Sequence, residues 1–165
     1  MEQYILDKST WTQEDFDNMN WHDANINGMV LEKQEGVENG SLIFDIDYIF
    51  EWVHHIPPLE PFTFWVAPCT LIFKEVCELR IDVDQQGNTF ELFDFDSITI
   101  PSIKELDNGC TVYEWLLRLH IGEIQFKSLG FEQIVRMSPI YTSSQVLSLD
   151  ERGGVSFSKQ AFNAN

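Results

Sequence analysis

This sequence predicts a mostly β domain (β-rich α+β), an antiparallel sandwich or barrel of about eight short strands with one short N-terminal helix. Three observations carry that expectation. Apolar and polar residues alternate with period two through much of the chain. Turn-forming Gly, Asn, Asp and Pro recur roughly every 8–14 residues, as between short strands. A stretch near the N-terminus carries helix-start chemistry, enough for one short helix.

That stretch is Ser9-Thr10-Trp11-Thr12-Gln13-Glu14-Asp15-Phe16, whose hydroxyl caps are followed by acids suited to a first turn, so a short helix is expected near 12–18. A strand over 24–33 follows, and the Asn39-Gly40 turn chemistry reverses it into a strand over 41–53. In that second strand Leu42, Phe44, Ile46, Tyr48 and Phe50 share one face, and Asp45 and Asp47 point to the other. His54-His55-Ile56-Pro57-Pro58-Leu59-Glu60-Pro61 reads as a loop, because proline lacks the ladder donor and restricts the residue before it.

Strands are expected at 62–66 and 69–76, separated by Ala67-Pro68, and again at 79–84 before a Gln86-Gly87-Asn88 turn. A strand over 90–100 ends where Pro101 interrupts it. Residues 111–120 fit either a helix or a strand. The strand is favoured because Ile121-Gly122-Glu123 resembles a tight connection into the alternating Ile124-Gln125-Phe126-Lys127. One more strand is expected over 129–137. The stretch 142–165 is polar and Ser-rich and reads as a mobile or edge-like tail. Neither an internal repeat nor a break in composition divides the 165 residues, so 1–165 is expected to be one domain.

The charge balance is far from even: 27 Asp and Glu face 10 Lys and Arg, a formal net charge of −17. The cations are scattered singly, which disfavours nucleic acid and anionic membrane as partners. Such a field favours capture of a cationic protein, a polyamine or a metal ion, and it also serves plain solubility. The N-terminus shows no basic leader or apolar run, and no stretch approaches the ~20 apolar residues of a membrane helix. Cys69, Cys77 and Cys110 are odd in number and lack CxxC spacing, so they read as reduced thiols in a cytoplasmic protein.

Three strands repeat one pattern: Phe44-Asp45-Ile46-Asp47, Ile81-Asp82-Val83-Asp84 and Phe93-Asp94-Phe95-Asp96. The two Asp of each pair stand on one side, roughly 6.5–7 Å apart, and on neighbouring strands the pairs merge into a carboxylate patch. Asp45, Asp47, Asp82, Asp84, Asp94 and Asp96 are therefore the candidate partner-binding residues. The same pattern also describes the ordinary wet face of a half-buried sheet. His22 and Asp23, in Trp21-His22-Asp23, and the loop pair His54-His55 form a second candidate polar site. No metal-ligand spacing accompanies them, so no metal or cofactor is assigned. No nucleophile elbow, P-loop or dinucleotide-binding glycine pattern occurs, and no catalytic residue is assigned. The aromatic run Phe62-Thr63-Phe64-Trp65-Val66, with Trp52, Phe73 and Trp115, fits core packing or the wall of a cleft.

The W-H-D opening Trp21-His22-Asp23-Ala24-Asn25-Ile26, the segment Phe64-Trp65-Val66-Ala67-Pro68-Cys69-Thr70-Leu71-Ile72-Phe73 (F-W-V-x-P-x-T-L-x-F) and Leu79-Arg80-Ile81-Asp82 resemble segments of small uncharacterised bacterial proteins. The layout is also similar to some immunity proteins of bacterial polymorphic toxin systems. The likeness covers the first half of the chain and implies an antitoxin-like binder, with no catalytic residue to carry over. Three functions remain in view: an acidic non-catalytic immunity or inhibitor protein that masks a cationic partner, a metal-binding domain or metal-assisted hydrolase using His22, Asp23, His54 and His55 with the strand carboxylates, and a structural or self-assembling domain. Composition leaves the oligomeric state open.

Overall fold

The computed structural model describes residues 4–33, 35–36, 39–53, 62–84 and 93–163. Among them nine antiparallel strands carry the fold: β1 (Thr10–Thr12), β2 (Ala24–Glu32), β3 (Gly40–Val53), β4 (Thr63–Val83), β5 (Asp94–Glu105), β6 (Thr111–Leu119), β7 (Gly122–Ser128), β8 (Phe131–Val135) and β9 (Ile140–Thr142). The expected N-terminal helix is a 3-10 helix, Gln13–Asn18, and one short α-helix, α1 (Leu149–Arg152), follows the last strand. The ambiguous segment after Cys110 is a strand, as its connection to the next one suggested. The Gln86-Gly87-Asn88 turn and parts of the β2–β3 connection and of the expected 90–100 strand lie outside the described residues.

The sheet closes on itself. β2, β3, β4, β7, β6 and β5 pair in a ring, which β5 completes by bonding to the start of β2. A circuit that leaves β4 at Pro68 runs through Asp47, Asn25 and Asp94, then through Phe95, Leu119 and Gly122, and regains β4 at Val83. The ring is thus steeply staggered, as closure of a tilted sheet demands. One strand must be long enough to supply both ends of the circuit, and β4 does so with 21 residues. Its first part pairs with β3, and its other edge meets β9, β8 and β7 in turn.

This corrects the reading of three separate strands at 62–66, 69–76 and 79–84. Pro68 is tolerated because the β8 ladder ends at Cys69 and the β9 ladder begins at Val66. The Pro68 carbonyl accepts from Arg136 N, so the donorless nitrogen faces the same gap between partners. Between β8 and β7 the strand bends at Glu75 and Glu78, whose φ angles are 53° and 52°, and its register shifts between Cys77 and Arg80. The expected stop at Pro101 is also corrected. β5 runs on to Glu105, and the register with β6 shifts between Thr99 and Ser102, so the proline sits in a bulge.

The ring interior is apolar and rich in aromatics. Leu42, Phe44, Ile46 and Tyr48 of β3 face Phe73, Leu71, Cys69 and Ala67 of β4, and Phe95, Trp115, Leu117, Ile124 and Phe126 complete the wall. Phe73 lies 4.8 Å from both Trp115 and Phe126, in edge-on geometries favoured by the ring quadrupoles. β8 adds Phe131 and Val135, and Phe16 of the 3-10 helix packs on Phe131 and Trp115.

Strand β3 is buried on both faces from Ser41 to Ile49. Its second face is covered by the chain after β9. Leu147 sits against Ile49, Phe64 and Val66, and Phe157 and Ala161 pack on Ile43, Ile72 and Ile134. The Ser-rich stretch expected as a mobile or edge-like tail is a strap across the outside of the sheet.

Ring closure leaves little room at Gly122, where φ is 151° and a Cβ would lie 2.1 Å from the Asp82 carbonyl oxygen. Gly122→Ala is expected to lower the unfolding free energy in urea by about 3 kcal/mol. Gly109→Ala, at φ 83° in open space, is expected to cost about 1 kcal/mol. Equal losses for the two would argue against a tight β4–β7 approach.

Candidate binding surface

The three Asp pairs meet different fates. Asp45 and Asp47 point away from the ring interior, as their parity requires, yet neither is exposed to solvent because the strap lies over them. They are not partner-binding residues on a wet face. Arg152 grips Asp45 with both terminal nitrogens, at 2.6 and 2.8 Å, and reaches Asp47 through Nε at 3.0 Å. Arg136, which follows β8, donates to the same Asp45 oxygen as Arg152 Nη2. Ser156 N–H completes Asp45, while Asn27 Nδ2 and Leu147 N–H complete Asp47. Two carboxylates meet two guanidiniums, and all four carboxylate oxygens are occupied. Burial works against the Arg152 charge, but the bonds and charges of Asp45 and Asp47 outweigh it and hold its pKa above the ordinary value.

Helix α1 delivers Arg152. Ser148 caps it, accepting from Glu151 N–H, while Glu151 accepts from Ser148 N–H and Oγ–H. Gly153, in the left-handed conformation at φ 73°, ends it one residue after the arginine.

The other two pairs remain near solvent. Asp82 of β4 stands opposite Glu123 of β7, which stands opposite Arg118 of β6, which neighbours the start of β5 through its pairing with Ser97. Asp82, Asp84, Asp96, Glu123 and Arg118 line a shallow pocket of about 320 Å³ on this outer face. Asp82 is 61% exposed beside Arg80, and Asp96 is 49% exposed. Asp94 is more sheltered and accepts from His120 Nδ1 at 2.6 Å. His120 occupies the β6–β7 turn.

The W-H-D opening divides in the same way. Trp21 is core, its indole N–H donating to buried Gln133 at 2.8 Å. His22 and Asp23 stay at the surface, and the structure joins them to the acidic face: His22 Nδ1 donates to the Asp96 carbonyl at 3.1 Å, and its ring lies 3.6 Å from Asp23 and 3.9 Å from the Asp96 carboxylate. Asp23, at φ 60°, also accepts from Gln145 of the strap. His54 and His55 lie outside the described residues. Among the described residues no group of three His, Cys, Asp or Glu is placed to hold a metal ion. Of the aromatic candidates, Phe73 and Trp115 are core, whereas Trp52 is half-buried between Phe64 and the His22 ring.

Sequence reasoning missed Arg118, Glu123, Arg136 and Arg152. One signal was present. Ile43 and Ile49 share the parity of Asp45 and Asp47, so the supposed wet face of β3 is half aliphatic. Comparison of the chain with family models, curated proteins and solved structures finds no match.

Asp45→Asn should destabilise the fold by about 3 kcal/mol, because it leaves buried guanidinium charge unbalanced. Asp82→Asn should stay within about 0.5 kcal/mol, the usual range for a surface change. Matched urea titrations separate the two roles. Acid will also loosen the strap: the bonds from the Ser148 hydroxyl and backbone N–H hold the Glu151 carboxyl below its ordinary pKa. Its contribution is therefore complete above that ordinary value and is lost as pH falls through the lowered one. Melting temperature measured from pH ~6 to ~2 should fall less steeply in Glu151→Gln, which keeps the cap but not its titration. Parallel curves would remove Glu151 from the acid response.

Proposed function

We propose that this chain is a non-catalytic binding protein that receives a cationic protein partner on the outer face of β5, β6, β7 and the end of β4, in the manner of an immunity or inhibitor protein. The observation that carries this reading is the convergence of Asp82, Asp84, Asp96 and Glu123 around one pocket, with Arg118 the one cation in its lining among the described residues. The network under the strap strengthens it, because two aspartates and two arginines cancel there and the rest of the chain keeps the full net charge of −17. Shallow, charged and open, the pocket suits the rim-type contacts that govern encounter rate and salt dependence.

Replacing Asp82, Asp84, Asp96 and Glu123 with their amides tests the reading against a control of the same charge change, Asp7, Glu14, Asp17 and Glu51, all exposed elsewhere. A Lys/Arg-rich peptide serves as probe, and association is followed across a salt series. The pocket variant should associate at least about tenfold more slowly and show a flatter salt dependence, while the control stays near the parent. Equal losses in both variants would reduce the effect to net charge and end the assignment of this face.

A further inference from the structure

The outer face of β3, β4 and β8 is covered by the strap. We propose that the outer face of β3, β4 and β8 is a groove for an arginine-bearing extended peptide, and that residues 143–163 are its tethered ligand, a discrete unit that can be supplied in trans. The acidic pocket on β5–β7 is a different surface, and the two proposals stand or fall separately.

The strap is attached as a peptide ligand is. No strand pairing holds it among the described residues, and its regular structure is the four-residue α1. One main-chain bond, from Phe162 N–H to the Val135 carbonyl at 3.0 Å, joins it to β8, and barrel side chains grip the rest of its main chain: Thr70 Oγ1 donates to the Ser158 carbonyl at 2.7 Å, Arg136 Nη1 donates to the Ser156 carbonyl, and Asp45 and Asp47 accept from the Ser156 and Leu147 amides. These contacts read an extended backbone without reading its side chains. Specificity comes from three places. Leu147 fills an apolar site against Ile49, Phe64 and Val66. The Phe157 ring lies over Gly28, where a Cβ would come within 2.9 Å of it, so the glycine leaves room for an aromatic. Between them lies the guanidinium slot.

The slot sets the ligand chemistry. Arg136 belongs to the barrel side, so without the strap two carboxylates would share one guanidinium. An occupant must bring one more positive charge in a planar fork that meets Asp45 twice and Asp47 once, which arginine does and lysine cannot. Ring closure does not use the strap, and the interior core receives only the half-buried Phe162 from it. Ser143 and Ser144, both exposed, form the tether.

The test is performed on the full chain with a protease site inserted after Ser143. After nicking, a fluorescently labelled synthetic peptide of residues 146–163 is added in excess, and its exchange into the protein is followed by anisotropy, with circular dichroism reporting the barrel. The nicked protein should stay folded and take up the labelled peptide. A peptide carrying Arg152→Met should bind at least about 100-fold more weakly, Arg152→Lys should fall between, and Gln160→Ala, at an exposed position, should match the parent. Unfolding of the barrel as the peptide leaves, failure of the labelled peptide to enter, or equal binding of the Met peptide would each overturn the proposal.

Discussion

Two aspartates on one strand, buried without any solvent contact, are costly to a folded chain unless positive charge and hydrogen-bond donors are brought to them. The chain answers this by returning to β3 from far along the sequence: Arg152 is 107 residues from Asp45, and Arg136 is 91. The course of the last third of the molecule follows from that demand. β8 and β9 must place Arg136 at the gap beside Pro68, α1 must aim Arg152 inward, and the segment beyond must close over both.

Such a network is weak evidence for added stability, since desolvation of four charges offsets much of their attraction. Its contribution here is positional. An apolar strap could slide along the outer face of the sheet, because one aliphatic contact resembles the next. A guanidinium held by three bonds to two carboxylates has one place to be. That fixed point sets the register of a segment with no strand ladder of its own, and places Leu147 and Phe157 in their separate apolar sites on either side.

Much of the architecture was legible from alternation and turn chemistry. The β2–β3 hairpin, the extended backbone of Thr111–Leu119, the return through Ile121 and Gly122, and the early short helix all follow from local pattern. Pro68 and Pro101 misled for a physical reason. Whether a missing donor matters depends on whether a partner strand is present at that residue, and the gap between β8 and β9 and the bulge in β5 are properties of the pairing, not of the strand. The site was half legible. Local pattern placed each Asp pair on one side of its strand, but the identity of the covering segment is non-local, and Arg152 lies in the Ser-rich stretch that composition marks as polar. The mixed parity of Ile43, Asp45, Asp47 and Ile49 was the available clue: a face that is both aliphatic and ionic fits neither open water nor an apolar core alone, and fits an interface with internal counter-charge.

The same apolar-Asp-apolar-Asp pattern therefore serves opposite ends in one molecule, and the covering element decides which. On β3 the strap excludes water, so each carboxylate must be matched by its own donors. On β4 and β5 the carboxylates stay near water, where Arg80, Arg118, His22 and His120 accompany them at the surface. Removing the matched pairs leaves 8 Lys and Arg against 25 Asp and Glu. An acidic chain can tolerate that imbalance only where solvent and salt screen it, which confines it to faces that no segment of the chain covers. The strap thus has two effects: it internalises the acidic pair of β3 together with the guanidinium that matches it, and it leaves the carboxylates of the β4 end and of β5 at the surface, where solvent and salt screen them.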